Sequence, residues 1–193
     1  MRVRSYGSYS EYVLHQKSKL EQISWLPSYD QKYSQILTER LKEQQVVKAG
    51  MNVLCLGARV GSEVKAFLAL GCFAVGIDLN PSKENKYVLY GDFHDIQFSS
   101  QCVDVVFTNC IDHVWSLDQF LHEVKRVLKP NGYFILEIEK GLKEGGVAGE
   151  FECFFWEKIE DMIEVLTHSG LKVVKKTDID YPWNGQHIIF VMR

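Results

Sequence analysis

The sequence predicts an α/β fold: a mostly parallel sheet of seven strands with helices on both faces, an antiparallel last strand and an N-terminal helical cap. Three observations lead there. From Asn52 onward, short β-like apolar runs alternate with helical patterns, and such alternation implies a parallel sheet covered on both sides. The last two runs are separated only by the loop Asp180 to Gln186, too short for a helical crossover, so they pair as an antiparallel hairpin at one edge. The third is VLCLGARVGSEV, Val53 to Val64, a buried strand that breaks into a glycine-bearing turn and then a helix.

The elements follow in order. Residues 1–50 are polar, Tyr-rich and helical in pattern, with Tyr33, Ile36, Leu37 and Leu41 on one face behind Asp30, a candidate cap. VLCL then leads into VKAFLAL, and FAVGID into a loop. YVLYGD comes next, then VDVVFTN and a helix from about Ser116 to Leu128. Lys129, Pro130, Asn131 and Gly132 stop that helix and launch YFILEIE. A Gly-rich stretch, Gly141 to Gly149, precedes an amphipathic helix around Trp156 to His168, after which come LKVVKKTDI and HIIFVMR. The expected organisation is one domain over residues 1–193, with 1–50 as a helical lead-in or lid and 51–193 as the core.

With 193 residues, 46% of them hydrophobic, the chain is long enough for one substantial core and short for two. Net charge is −3 and the Lys and Arg residues are scattered, so the basic footprint that binds a nucleic-acid backbone is missing. The expected partner is a small molecule. No basic, apolar and small-residue signal opens the sequence, and no apolar run approaches the roughly 18 residues of a membrane span; a soluble, cytoplasmic protein without a membrane partner is expected. Cys55, Cys72, Cys102, Cys110 and Cys153 lie mostly inside apolar runs and never at CxxC spacing. They read as small core hydrophobes in a reducing compartment. No HxxxH or HExxH spacing offers a metal site.

In the turn Gly57-Ala58-Arg59-Val60-Gly61 the glycines permit φ values and a close backbone approach that a Cβ forbids, and the next helix presents free N–H groups to polar ligand atoms. Arg59 stands where a third small residue is expected. It is either a solvated loop cation or a guanidinium that grips a ligand carboxylate. Asp78 ends FAVGID about twenty residues after Gly57, the separation expected between such a loop and a carboxylate that accepts from ribose hydroxyls; the plainer alternative is a cap on the loop LNPS. Asp92 ends YVLYGD at the same edge, placed to accept from an exocyclic amine, and Phe93 offers an apolar surface to a purine ring. His94 and Asp95 read as loop residues satisfied by nearby backbone.

Together these segments resemble the class I S-adenosylmethionine-dependent methyltransferases, in particular those with a methyltransferase-11-type domain. The resemblance covers about Val46 to Glu139 and rests on VLCLGARVGSEV, GIDLNP, GDFHDIQF, VDVVFTNCIDHV and the closing VKRVLKPNGYFILEI. It implies a Rossmann-like three-layer sandwich, S-adenosylmethionine as cofactor and S-adenosylhomocysteine as product. By position it implies that the Gly57 to Gly61 turn, with Ala58, holds the methionine part and Asp78 the ribose. Leu79 then lies against adenine, Asp92 on its amine with Phe93 beside it, and Asn109 near the sulfonium. Two residues depart from the family: Cys55 stands where an acidic residue is usual, and Arg59 where a glycine is. The task of the lost acid falls to Glu63 in the first helical turn, unless Glu63 is only a favourable charge at a helix N-terminus.

The resemblance also implies attack of an acceptor on the sulfonium methyl, driven mainly by proximity and alignment. A hydroxyl acceptor gains from a general base, for which His113, just beyond the fourth strand, and Asp112 are the candidates; a histidine that merely packs or bonds a loop carbonyl is the plainer alternative. TNCI stands where amine methylation of bases or glutamine shows an NPPY-like or DPPY-like motif, so oxygen is favoured by elimination. The segments expected to face the acceptor are the start with Tyr6, Tyr9 and Tyr12, residues 141–155, and the loop around Trp183, whose aromatics suit a glycan-like or aromatic small molecule. Two other readings stand beside this one. A dinucleotide-dependent oxidoreductase requires GxGxxG, and Arg59 and Ser62 fill its second and third glycine positions. A non-catalytic relative, a scaffold or partner subunit with weakened cofactor binding, accounts for Cys55 and Arg59 together.

Overall fold

The computed structural model of the protein describes residues 2–22, 26–81 and 85–192. A short strand β1 (Arg2–Val3) and two helices, α1 (Tyr9–Gln22) and α2 (Leu26–Gln44), come first. The core follows as β2 (Asn52–Leu56), α3 (Ser62–Ala69), β3 (Phe73–Asp78), β4 (Val88–Tyr90), β5 (Val103–Thr108) and α4 (Leu117–Val127). It ends with β6 (Leu128–Glu139), β7 (Phe154–Phe155), α5 (Ile159–His168), β8 (Leu171–Ile179) and β9 (Gly185–Met192).

Seven strands form one sheet in the order β4-β3-β2-β5-β6-β9-β8. Strands β2 to β6 pair in parallel, and β9 is antiparallel to both its neighbours. The strands read as continuous apolar runs because both faces are covered and successive side chains point to opposite ones. Along β6, Phe134, Leu136 and Ile138 pack in the cluster of Phe120 from α4 and Met162 from α5. Ile135 faces the other way, with Leu37 and Leu41 of α2 and Phe67 of α3. Three layers result. Helix α4 forms because Phe120, Leu121, Val124 and Val127 recur at helical spacing on its buried face, and because the Ser116 hydroxyl accepts from the Gln119 N–H as a cap. The exposed edge strand β8 carries Lys172, Lys175 and Lys176, charges that discourage edge-to-edge pairing.

Some boundaries differ from the sequence reading. Asp30 lies inside α2, which starts at Leu26, so it is not the cap; Pro27 in the first turn suits an earlier start, because the N–H it lacks has no intrahelical partner there. Strand β6 begins directly after α4: Leu128 pairs with Val103 and Tyr133 with Val105. Lys129 to Gly132 are thus an excursion within the strand, with Asn131 at φ 62°. Helix α5 begins only at Ile159, and Trp156 precedes it, buried, donating its indole N–H to the Glu139 carbonyl at 3.0 Å. Strands β1 and β7 pair in a separate two-stranded sheet that ties the start of the chain to residues 154–155; two-residue strands carry no periodicity to read. Among the described residues no helix is long and apolar enough to cross a membrane. All five cysteines are free and four are buried.

Candidate active site

Sheet register brings the candidate residues to one edge. Leu56 pairs with both Ile77 and Thr108, and Asp78 with Tyr90, so Gly57, Asp92 and Asn109 lie just past strand ends that stop level with Asp78. Strand order reverses between β2 and β5, and such switch points open a crevice at the carboxyl ends of the strands. The two walls of this crevice touch at its base. A Cβ on Gly57 would lie 2.2 Å from Cys110 Sγ, so a side chain there would close it.

Gly57, Arg59 and Gly61 have φ of 67°, 39° and 86°. Arg59 therefore keeps the left-handed conformation of a glycine, at a cost of about 1 kcal/mol. Its N–H donates to Asp78 Oδ2 at 3.0 Å and its carbonyl accepts from Asn85 Nδ2 at 2.8 Å. Asp78 Oδ1 also accepts from the Asn80 N–H at 2.8 Å. Asp78 thus braces both loops while still lining the cleft.

Below the turn lies a cavity of about 290 Å³ walled by Ala58, Arg59, Glu63 and Asn109. Glu63 opens α3, yet it is only 6% exposed. Its Oε1 accepts from Asn109 Nδ2 at 3.1 Å, and its Oε2 is buried with no partner among the described residues. Burial pushes this carboxyl up to about 8, although its own backbone N–H, Arg59 and Asn109 pull the other way. A buried carboxyl with one bare oxygen is a site for a donor. Burial first and the Glu63 charge second raise the Cys55 thiol, so Glu63 sets a carboxyl close to position 55. Asn109 continues the network, donating to Tyr33 Oη at 3.1 Å, and Tyr33 donates to Glu137 Oε2 at 2.6 Å. Glu137 also pairs with Arg40 and accepts from His187 Nδ1 at 2.9 Å. Burial pushes the Glu137 carboxyl up, but His187, Arg40 and Tyr33 outweigh it and hold it below the ordinary range.

Two further compartments adjoin. One, of about 40 Å³, lies between Asp78, Leu79 and Phe93 of the core and Tyr12, Gln16 and Lys19 of α1. The other, of about 130 Å³, is acidic, with Asp112, Glu139 and Glu152 near Trp156 and Trp183. Burial brings Asp112 up to about 7, with Lys19 opposing and Glu152 and Glu139 adding to the rise. Glu139 is raised by burial and by Glu152. The indole N–H of Trp183 is buried without a partner among the described residues.

His113 lines all three compartments, and so does Lys19. His113 Nδ1 lies 3.1 Å from the Phe151 carbonyl oxygen and Nε2 lies 2.6 Å from Lys19 Nζ. A carbonyl only accepts, so the proton sits on Nδ1 and Nε2 accepts from Lys19. Burial, then Lys19 and Arg59, lower His113 well below the ordinary imidazole value. It is a neutral ring whose free lone pair is already engaged.

Every residue assigned to cofactor or catalysis from the sequence borders this cleft except Gly61 and Asp92, and of the three tyrosines expected to face the acceptor only Tyr12 does. Gly61 shapes the turn from behind, where a Cβ would meet Tyr87 Cβ at 2.9 Å. Asp92 faces α1. It accepts from the Tyr9 hydroxyl, and from the His94 N–H and Nδ1 at 2.8 and 2.9 Å. Burial pushes Asp92 up, but the bonds from His94 and Tyr9 hold it low. His94 Nε2 accepts from the N–H groups of Trp115 and Ser116 at 3.1 and 3.2 Å, a loop role. Nothing in the sequence marks Lys19, Glu139 or Glu152: a lysine on a polar helix looks solvated, and Glu152 follows a glycine-rich stretch.

Comparison with known proteins agrees with this geometry. Residues 54–136 match the family described as a methyltransferase domain. No curated protein matches the chain. Among solved structures, a SAM-dependent methyltransferase from Aquifex aeolicus is 19% identical, with a TM-score of 0.66 over 97% of this chain and 100% of its own. The 1,6-didemethyltoxoflavin-N1-methyltransferase of Burkholderia thailandensis, bound to 1,6-didemethyltoxoflavin and S-adenosylhomocysteine, is 15% identical, with a TM-score of 0.70 over 98% and 92%. Phosphoethanolamine N-methyltransferase 2 of Haemonchus contortus, in complex with S-adenosyl-L-methionine, is 16% identical, with a TM-score of 0.63 over 82% and 52%. At these identities the likeness to solved structures is one of fold, the Rossmann-like sandwich. Residues 54–136 thus carry a methyltransferase domain, on a fold shared with solved S-adenosylmethionine-dependent methyltransferases.

Proposed function

We propose that the chain methylates a hydroxyl of a small, sugar-like or aromatic acceptor. The observation that carries this reading is the acidic compartment beside the glycine-turn cavity. Carboxylates there accept from hydroxyls, and the faces of Trp156 and Trp183 suit a sugar or an aromatic ring. The two N-methyltransferases above share the fold, and their acceptors carry no weight for this chain.

The residues present fit the cofactor: Gly57 keeps a bare backbone beside Cys110, where a Cβ would collide, and Glu63 keeps a buried oxygen for a donor. S-adenosylmethionine, when bound, supplies an electrophilic methyl group on a sulfonium. We assign its amino group to Glu63, steadied by Asn109, and its carboxylate to Arg59. Asp78 retains lone pairs for the ribose hydroxyls beyond the two backbone bonds it accepts. Leu79 and Phe93 are assigned to the purine and Asp92 to its amine, which replaces the Tyr9 hydroxyl. Ala58 and Gly61 shape the turn. Asp112 orients the acceptor, and His113 fixes the polar group that Lys19 brings to it. Residues 1–193 act as one unit with α1 as the lid, and the free cysteines suit the cytoplasm.

The test is S-adenosylhomocysteine release across a panel of sugars, polyols, catechols and amines, with the new methyl located by NMR. The expected product is an O-methyl ether; release with amines alone, giving N-methyl products, overturns the oxygen assignment.

A further inference from the structure

Three compartments meet at one place, and the side chain that reaches it from outside the core is Lys19. It lines the cavity of Glu63 and Arg59, the cleft of Asp78 and Phe93, and the acidic compartment of Asp112 and Glu152. Under the cofactor reading above, on which this inference rests, methionine, nucleoside and acceptor converge there, so the reacting atoms lie within reach of Lys19 Nζ. The expected base, His113, does not face them freely, because its one lone pair is spent on Lys19 at 2.6 Å. We propose that Lys19 is a catalytic residue of this site, the group that takes the acceptor's proton, and that His113 is a positioning residue that orients its amine.

The step balances. The acceptor's O–H bond breaks as its oxygen bonds the methyl carbon, the carbon–sulfur pair leaves with sulfur, and the proton passes to the lone pair of a neutral Lys19 amine. One Nζ–H remains bonded to His113 Nε2, which leaves the lone pair for the acceptor's proton. The surroundings bear on the amine from every side. Burial and then Arg59, on the turn after β2, lower its pKa, while Asp112, Cys110 and Glu152 oppose them, and the net is a lowered value. Glu139 of β6 lines the same acidic compartment. The Phe151 ring, 5.4 Å from Nζ, favours the charged form and so stabilises the ammonium once the proton has reached Lys19.

The test needs no acceptor. Trace acetylation of the whole protein with acetic anhydride across pH 6 to 11, read peptide by peptide by mass spectrometry, titrates each lysine separately. Its midpoint does not depend on accessibility. Lys19 is expected to titrate at least one unit below the mean of the other lysines, tenfold more free amine at a given pH below both midpoints, and to be shielded about tenfold by saturating S-adenosylhomocysteine. In His113→Phe the Lys19 midpoint shifts, which a lysine with no bond to the ring would not show. An ordinary midpoint, no labelling at any pH, or labelling unaffected by bound S-adenosylhomocysteine overturns the proposal. Calorimetry on the same sample separates the two claims: absence of S-adenosylhomocysteine binding counts against the cofactor reading, and binding without protection counts against Lys19 alone.

Discussion

Arg59 carries two effects of opposite sign. Its φ of 39° strains an L-residue, while its guanidinium borders the cavity assigned to the methionine carboxylate. Arg59→Gly should therefore raise stability by about 1 kcal/mol in urea denaturation and still weaken cofactor binding; a loss of stability would show that the side chain, not the backbone, holds the turn. Glu63 gives a sharper case. Its carboxyl is raised from an ordinary 4.5 to about 8, so between those values the native state holds a proton that the unfolded chain has released. Stability then falls as pH rises through that window. Glu63→Gln should flatten this slope and, by removing a charge-assisted bond of about 1.5–3 kcal/mol, weaken cofactor affinity by tenfold or more. Equal affinity in that variant would return Glu63 to a purely local role at the start of α3.

At the scale of elements, α1 and α2 are fastened in different ways. Helix α2 is held by the buried pair of Arg40 and Glu137. Arg40→Met strands that carboxylate and should cost about 3–5 kcal/mol at neutral pH. Because the Glu137 carboxyl is held low, its contribution is present above the unfolded value and lost as pH falls through the folded one. The deficit of the variant should therefore shrink in acid, and a deficit independent of pH would point to lost packing instead. Helix α1 is latched by Tyr9 to Asp92 and lies over a compartment of about 40 Å³, room for about one water molecule. A nucleoside enters only if α1 lifts. Tyr9→Phe should speed cofactor association several-fold, read in stopped flow from Trp115, whose ring lies 5.9 Å from Tyr9; an unchanged rate would mean that the latch is not what closes the cleft.

For the whole molecule, what was legible in sequence follows from how the physics is encoded. Strands buried on both faces must be apolar throughout, so VLCL, VDVVFTN and YFILEIE announce the sheet. A chain that must turn with positive φ beside a ligand shows Gly57 and Gly61, and the strand ends follow by spacing. Contacts between distant segments leave no such trace. Lys19 meets His113 across 94 residues and Tyr9 meets Asp92 across 83, and neither pair has a local pattern to betray it. Glu63 was legible only in part: its place in the first turn of α3 was plain, but its burial depends on the packing of α3 against the sheet. The core is therefore visible in sequence, and residues 1–50 read there as a lead-in or lid, but the contacts that fasten α1 to the core are visible only in three dimensions. Isothermal titration of S-adenosylmethionine into the folded wild-type protein and into Asp78→Ala tests the central claim most directly. The account predicts one site per chain in the wild type and loss of binding in the variant without loss of fold; no heat with the wild type, or unchanged affinity in Asp78→Ala, would contradict it.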